Sequence, residues 1–230
     1  MIIKGLQKLT LLDYPGKVAC TVFTAGCNFR CPFCHNASLV TGDFSGASIP
    51  CADIIDFLAL RKGILQGVCV TGGEPLLQND LEGFLTSIKE MGLLIKLDTN
   101  GSFPQKLKSL IEKNLIDMVA MDIKNSKENY ARTAGVKDLD ITPIEESVRI
   151  LMNGNISYEF RTTIVREFHQ KSDLISIGEW IRGADKYFLQ HFKDSGDLLS
   201  QGLHGYDKSV MTSALSVVSP YVKEAKLRGI

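Results

Sequence analysis

The sequence predicts an α/β protein: a parallel sheet whose strands alternate with helices packed outside it. Three observations carry this. Six short runs rich in Val, Ile, Leu and Phe are apolar on both faces, as strands buried in a parallel sheet must be. Amphipathic stretches of helical period separate them. The chemically reactive side chains fall just after the runs, at the carboxyl ends of strands, where barrel enzymes build their sites. Six strands are too few to close an eight-stranded barrel. The expected architecture is therefore a partial (β/α)6, open, TIM-like barrel of parallel strands with outer helices, its open side able to admit a large substrate.

In order, the strands are expected at Val18–Phe23, Val68–Val70, Leu94–Leu97, Met118–Met121, Tyr158–Ile164 and Tyr187–Leu189. Asn79 can cap a helix whose apolar residues Leu81, Phe84, Leu85, Ile88 and Met91 recur at three- and four-residue steps, with Gly92 as its stop. Asp173 can cap another, with Leu174, Ile177, Trp180 and Ile181 inward and Gly183 at its end. Further helices are expected over Asp53–Leu60, Gln105–Lys113, Ile144–Met152 and Lys208–Val218, with Pro143 suited to a first turn.

The chain of 230 residues is expected to form one domain: a lead-in over residues 1–17, a barrel core over 18–192 and an extension over 193–230. Its formal net charge is zero, which argues against a nucleic-acid-coating surface. No apolar run reaches membrane-spanning length, and the first residues lack a signal-peptide pattern. A cytoplasmic location with reduced thiols is expected, with neither nucleic acid nor membrane as partner.

The strongest motif is Cys27-x3-Cys31-x2-Cys34. Cysteine ligation of an iron–sulfur cube normally takes four thiolates. Three leave one iron open to an outside molecule, as catalytic metal sites do. Phe33, just before the last cysteine, would shield the group. Structural zinc held by these cysteines and His35 is the alternative, but zinc usually joins two separated knuckles and no second pair is present. Cys20, Cys51 and Cys69 stand alone and are expected to be packing residues.

Gly72-Gly73-Glu74-Pro75 closes the second run. Its glycines permit close approach of a ligand, and their carbonyls can accept hydrogen bonds from an ammonium group; a plain strand-to-helix turn is the alternative. Asp98 and Asp122 end neighbouring strands and, with Thr99 beside Asp98, can hold a cation or a ribose hydroxyl, or simply cap a succeeding helix. Lys124 and Arg161 are cations among apolar residues, so each should meet a carboxylate from the protein or a ligand. His191 follows the sixth strand and is either a site residue or structural. Asp13-Tyr14-Pro15-Gly16 reads as a turn.

Together these pieces resemble the radical S-adenosylmethionine superfamily, and within it the activases of glycyl-radical enzymes. The matching residues are Asp13–Gly16, the stretch Phe23–Cys27, the triplet with Cys34-His35-Asn36, Gly72–Pro75, Asp98–Gly101 and Asp122-x-Lys124. The opening Leu6–Lys17 is similar to activating proteins of anaerobic ribonucleoside-triphosphate reductase. The resemblance implies that Cys27, Cys31 and Cys34 hold a [4Fe–4S] cluster whose open iron binds S-adenosylmethionine. It implies further that Phe33, Gly72, Gly73, Glu74, Lys124, Arg161 and His191 bind that cofactor, and that Asp98, Thr99 and Asp122 line a monovalent-cation site. The implied activity is reductive cleavage of S-adenosylmethionine to a 5′-deoxyadenosyl radical, which generates a glycyl radical on a partner enzyme. That partner is expected to be the anaerobic reductase, with flavodoxin or ferredoxin as electron donor. The alternatives are activation of pyruvate formate-lyase or another glycyl-radical enzyme, and radical chemistry on a small molecule.

Overall fold

The computed structural model describes residues 1–42 and 44–230, and all six expected runs are strands in it. By its internal contacts the chain divides into two units, the first comprising residues 1–28, 38–99 and 103–119 and the second 29–37, 100–102 and 120–230. Both flanking segments, 1–17 and 193–230, contribute a strand.

In the first unit β1 (Ile3–Thr10) runs antiparallel to β2 (Ala19–Thr24), and β3 (Gly67–Gly72) and β4 (Leu94–Thr99) follow in parallel. The lead-in is therefore an edge strand of the sheet. Helices α2 (Cys51–Leu60), α3 (Leu81–Glu90) and α4 (Pro104–Glu112) belong to this unit, and the short α1 (Ala37–Thr41) precedes them. The turn at Asp13–Gly16 is structural. Asp13 accepts a hydrogen bond from the Thr21 hydroxyl, and buried Tyr14 packs with Ala19, Met118 and Leu94.

β5 (Met118–Asp122) begins in the first unit and ends in the second. The second unit continues with α5 (Tyr130–Ala134), α6 (Thr142–Asn153), β6 (Ser157–Ile164), α7 (Lys171–Trp180), β7 (Lys186–His191), α8 (Lys208–Val218) and β8 (Glu224–Arg228). β6, β7 and β8 are parallel neighbours in that order. Arg228 of β8 reaches back to the buried Glu159 carboxylate of β6 at 2.9 and 3.2 Å. The extension over 193–230 is thus an integral layer.

Two expected caps move. α3 starts after Asp80, whose carboxylate takes the chain's terminal ammonium, so Asn79 is not its cap. α7 starts after Gln170, and Asp173 sits inside its first turn. The Asp173 carboxylate reaches back to the Gln170 N–H at 2.8 Å and also accepts from Ser126 and Asn129. It is more use there than at the cap, because one carboxylate ties the helix start to the loop after β5.

Candidate active site

In the first unit the end of β3 lies against the backbone that leads into Cys27. The Gly73 and Glu74 amides donate to the Thr24 and Gly26 carbonyls at 2.8 and 2.7 Å. A Cβ on Gly72 would lie 2.2 Å from the Thr24 carbonyl oxygen, and one on Gly73 would lie 2.0 Å from that of Gly26. Gly72 also has φ of 121°, which disfavours any residue with a side chain. The glycine pair therefore holds the start of the cysteine loop.

Glu74 is fully buried. Its carboxylate accepts from the Leu76 N–H at 3.0 Å and the Thr99 hydroxyl at 2.9 Å, joining the ends of β3 and β4. Glu74→Ala strands both donors, so a loss of about 1–3 kcal/mol is expected, read as a lower midpoint in urea at unchanged slope.

Along β4 side chains alternate, so Lys96 and Asp98 share one face and Thr99 takes the other. Lys96 is buried and ion-paired with Asp98. Cys69, the register partner of Lys96 on β3, places Sγ 3.9 Å from its Nζ and 3.7 Å from Asp98 Oδ1. Cys69 is fully buried, as expected of a packing residue, and packs against this pair; Lys96 is a buried cation that its apolar strand context concealed.

In the second unit the loop carrying Cys31 and Cys34 is anchored from two other segments and closed by a turn of its own. The Arg30 N–H donates to the Ala134 carbonyl at 2.8 Å, the Cys34 N–H to the Cys31 carbonyl at 3.0 Å, and the Ser200 N–H to the Pro32 carbonyl at 2.9 Å. Gly135 permits the first of these contacts, since a Cβ there would lie 2.0 Å from the Arg30 oxygen. Phe33 packs with Val165, Phe192, Phe168, Leu198 and Leu203, so the extension walls the loop from one side. Neither Gly135 nor Ser200 carries a motif that sequence reading could have found.

Asp122 collects the two cations expected to need a carboxylate. Lys124 Nζ lies 2.9 Å from its Oδ2, and Arg161 Nη2 lies 2.9 Å from its Oδ1. Burial alone would raise the Asp122 carboxyl, but the Arg161 guanidinium and the Lys124 ammonium hold it at about 2. Burial works against the charged form of Lys124, yet Asp122 and the Cys31 thiol raise its pKa well above the ordinary lysine range. Burial pushes the Cys34 thiol up, with the Asn36 N–H and the Lys124 ammonium opposing it. Lys124 therefore places positive charge where two thiolates would need it.

His169 fixes that lysine from behind. Its Nδ1 accepts from the Val165 N–H at 3.1 Å, so Nε2–H donates to the Lys124 carbonyl at 2.8 Å. Burial depresses its pKa below the ordinary 6.5. The unfolded chain takes up this proton first, so stability is full above about pH 6.5 and falls as pH drops below it. Urea midpoints of wild type between pH 5 and 7.5 should show that slope, and His169→Gln should reduce it, the remainder coming from His35, which burial also depresses.

His191 is not brought to this site. β6 and β7 pair Arg161 with Phe188 and Ile164 with His191, so the pleat points the Arg161 and His191 side chains to opposite faces. His191 instead bonds the Tyr206 carbonyl through Nε2 at 2.8 Å. Gln190 is the residue of that strand end on the Arg161 face, a distinction that only the register reveals. His35, the fourth ligand in the zinc alternative, stacks on Phe192 with ring centroids 5.3 Å apart.

A model of the radical SAM superfamily matches residues 21–177. The chain belongs to that superfamily. A Methanocaldococcus jannaschii protein, MJ1227, provisionally named a glycyl-radical enzyme activating enzyme, is 31% identical over 85% of this chain and 82% of its own length. The pyruvate formate-lyase-activating enzyme of Staphylococcus aureus is 28% identical over 80% of this chain and 76% of its own. The solved structure of Streptococcus suis SuiB with its precursor peptide SuiA superposes with TM-score 0.72 at 15% identity, covering 91% of this chain and 48% of that one. The fold is accordingly the α/β partial barrel of the superfamily. Within it the chain groups with the glycyl-radical enzyme activating enzymes, and its cofactors are a [4Fe–4S] cluster and S-adenosylmethionine.

The cysteines suit a cluster. None of the three motif thiols is consumed in a disulfide, and Lys124 supplies positive charge to two of them. Among the described residues no three His, Cys, Asp or Glu side chains assemble around a single-ion position. A cube holds its thiolates farther apart than one ion does, because each binds a different iron. Among the described residues, no helix is long and apolar enough to cross a membrane.

Proposed function

We propose that this enzyme generates a glycyl radical on a partner protein, and that the partner is anaerobic ribonucleoside-triphosphate reductase. The observation that supports activation most strongly is the likeness to MJ1227, which runs through 85% of the chain. The opening Leu6–Lys17 favours the reductase as partner. The Staphylococcus aureus relative favours a second reading, pyruvate formate-lyase as partner.

In this reading Cys27, Cys31 and Cys34 hold the cluster, by their spacing, and Lys124 offsets the thiolate charge. The Gly72 and Gly73 carbonyls accept from the amino group of S-adenosylmethionine, and the backbone at Phe33 receives its adenine. Arg161 and Lys124, oriented by Asp122, present N–H donors to its carboxylate or ribose. Asp98 keeps its charge inside the protein through Lys96, while Glu74 and Thr99 hold the strand ends that carry the glycines. A cluster held there would supply one electron for cleavage of S-adenosylmethionine to methionine and a 5′-deoxyadenosyl radical, which would take hydrogen from a glycine Cα. Phe33 and its apolar neighbours exclude stray hydrogen donors. The electron comes from a reduced flavodoxin or ferredoxin, and the reaction takes place in the cytoplasm.

Mixing the reduced enzyme and S-adenosylmethionine with each candidate partner tests this. A glycyl-radical doublet in the electron paramagnetic resonance spectrum of the reductase, with 5′-deoxyadenosine formed in equal amount, is the expected result. A doublet only on pyruvate formate-lyase reassigns the partner. Turnover of S-adenosylmethionine with no protein radical on any partner would overturn activation.

A further inference from the structure

We infer that Lys96 supplies to Asp98 the positive charge that a monovalent cation would otherwise bring, so that this chain binds no alkali ion at that carboxylate. Only the expectation of a cation there rests on the proposed function. Lys96, Asp98, Thr99 and Cys69 all lie in the first unit.

Lys96 and Asp98 stand two apart on β4, so the pleat directs both to one face, where they form an ion pair. Lys96 is 1% exposed, so its ammonium is stable only against an anion, and Asp98 is the carboxylate it meets. Cys69 closes the other side, with Sγ within 3.9 Å of Nζ and 3.7 Å of Oδ1. An alkali ion approaching Asp98 would come close to a second positive charge in a poorly solvated place, where like charges repel strongly. Thr99, the neighbouring expected ligand, is turned to the opposite face, and its hydroxyl donates to Glu74. Two of the three ligands expected for the ion are thus engaged on opposite faces of β4, and the third, Asp122, is itself ion-paired with Lys124 and Arg161.

A tethered ammonium differs from a free ion in its consequence. It is present at every potassium or sodium concentration and cannot be diluted or exchanged. The charge at the end of β4 is thereby made independent of the salt around the protein.

The test uses the full chain with its cluster loaded, as wild type, Lys96→Gln and Lys96→Arg. Melting temperatures are compared in potassium chloride and tetramethylammonium chloride at equal ionic strength, and thallium(I) binding is followed by NMR. Wild type and Lys96→Arg should melt alike in both salts and show no saturable thallium site. Lys96→Gln should gain one, displaced by potassium, and should melt higher in potassium. A saturable site in wild type overturns the inference, and so does a folded Lys96→Gln that binds no thallium. Should Lys96→Gln fail to fold in both salts, the wild-type titration decides alone. None of these readouts involves glycyl-radical formation, so failure of the proposed function would leave them unchanged.

Discussion

Cys31→Ser should abolish cleavage of S-adenosylmethionine and strip the chain of most of its iron and inorganic sulfide. Cys31 is the buried member of the triplet, in a loop held by Arg30 on one side and Pro32 on the other, so no neighbouring residue can slide into its place. A serine hydroxyl is a poor ligand for iron in such a cube, and two remaining thiolates of four normal positions leave it open to hydrolysis. Anaerobic metal and sulfide analysis should find about four irons per chain in wild type and only a small fraction of that in the variant. 5′-Deoxyadenosine should fall below detection. Cys51→Ser, outside the motif, should keep both. A Cys31→Ser protein with full iron, full sulfide and wild-type cleavage would sink the ligand assignment.

Gly73→Ala should be strongly destabilising. The added carbon would stand 2.0 Å from the Gly26 carbonyl oxygen, and what it meets is backbone rather than the end of a flexible side chain. Relief requires parting β3 from the loop, which breaks the hydrogen bonds from the Gly73 and Glu74 amides. Overpacking of this kind costs roughly 1–3 kcal/mol and the two bonds about 1 kcal/mol each, for a total of about 3–5 kcal/mol. A chain of this size loses about 2–4 °C of melting temperature per kcal/mol, so a fall on the order of 10 °C is expected by calorimetry. Cluster content should fall with it, because the Gly26 backbone leads directly into Cys27. Gly83→Ala, inside α3 with nothing within 4 Å of the new carbon, should keep the cluster content and raise the melting temperature by the few degrees that about 1 kcal/mol of helix propensity supplies, and serves as the control.

How much is legible in the sequence differs from residue to residue for physical reasons. The buried strands announce themselves, because burial on both faces demands a continuous apolar run. β1 and β8 do not, since each carries charged or polar residues and only partial burial. Lys124 and Arg161 need a carboxylate because they are cations among apolar residues, and Asp122 meets both. The faces that Arg161 and His191 take cannot be told apart in sequence, because one lies within β6 and the other ends β7, and neither strand alone shows how the two pair. In the parallel ladder His191 pairs with Ile164, three residues beyond Arg161, so the two side chains take opposite faces, and that register leaves no trace in either strand's own composition.

The cysteine spacing, the glycine pair and the six apolar runs were determined by the sequence alone, because ligand valence, steric freedom and burial act on neighbouring residues. Tertiary structure decided which side chains share a face and which charges cancel. Lys96 with Asp98, His169 behind Lys124, and Gly135 under Arg30 are set by strand register and by contacts between segments distant along the chain. Such pairings depend on where the whole backbone closes, and no local pattern encodes that.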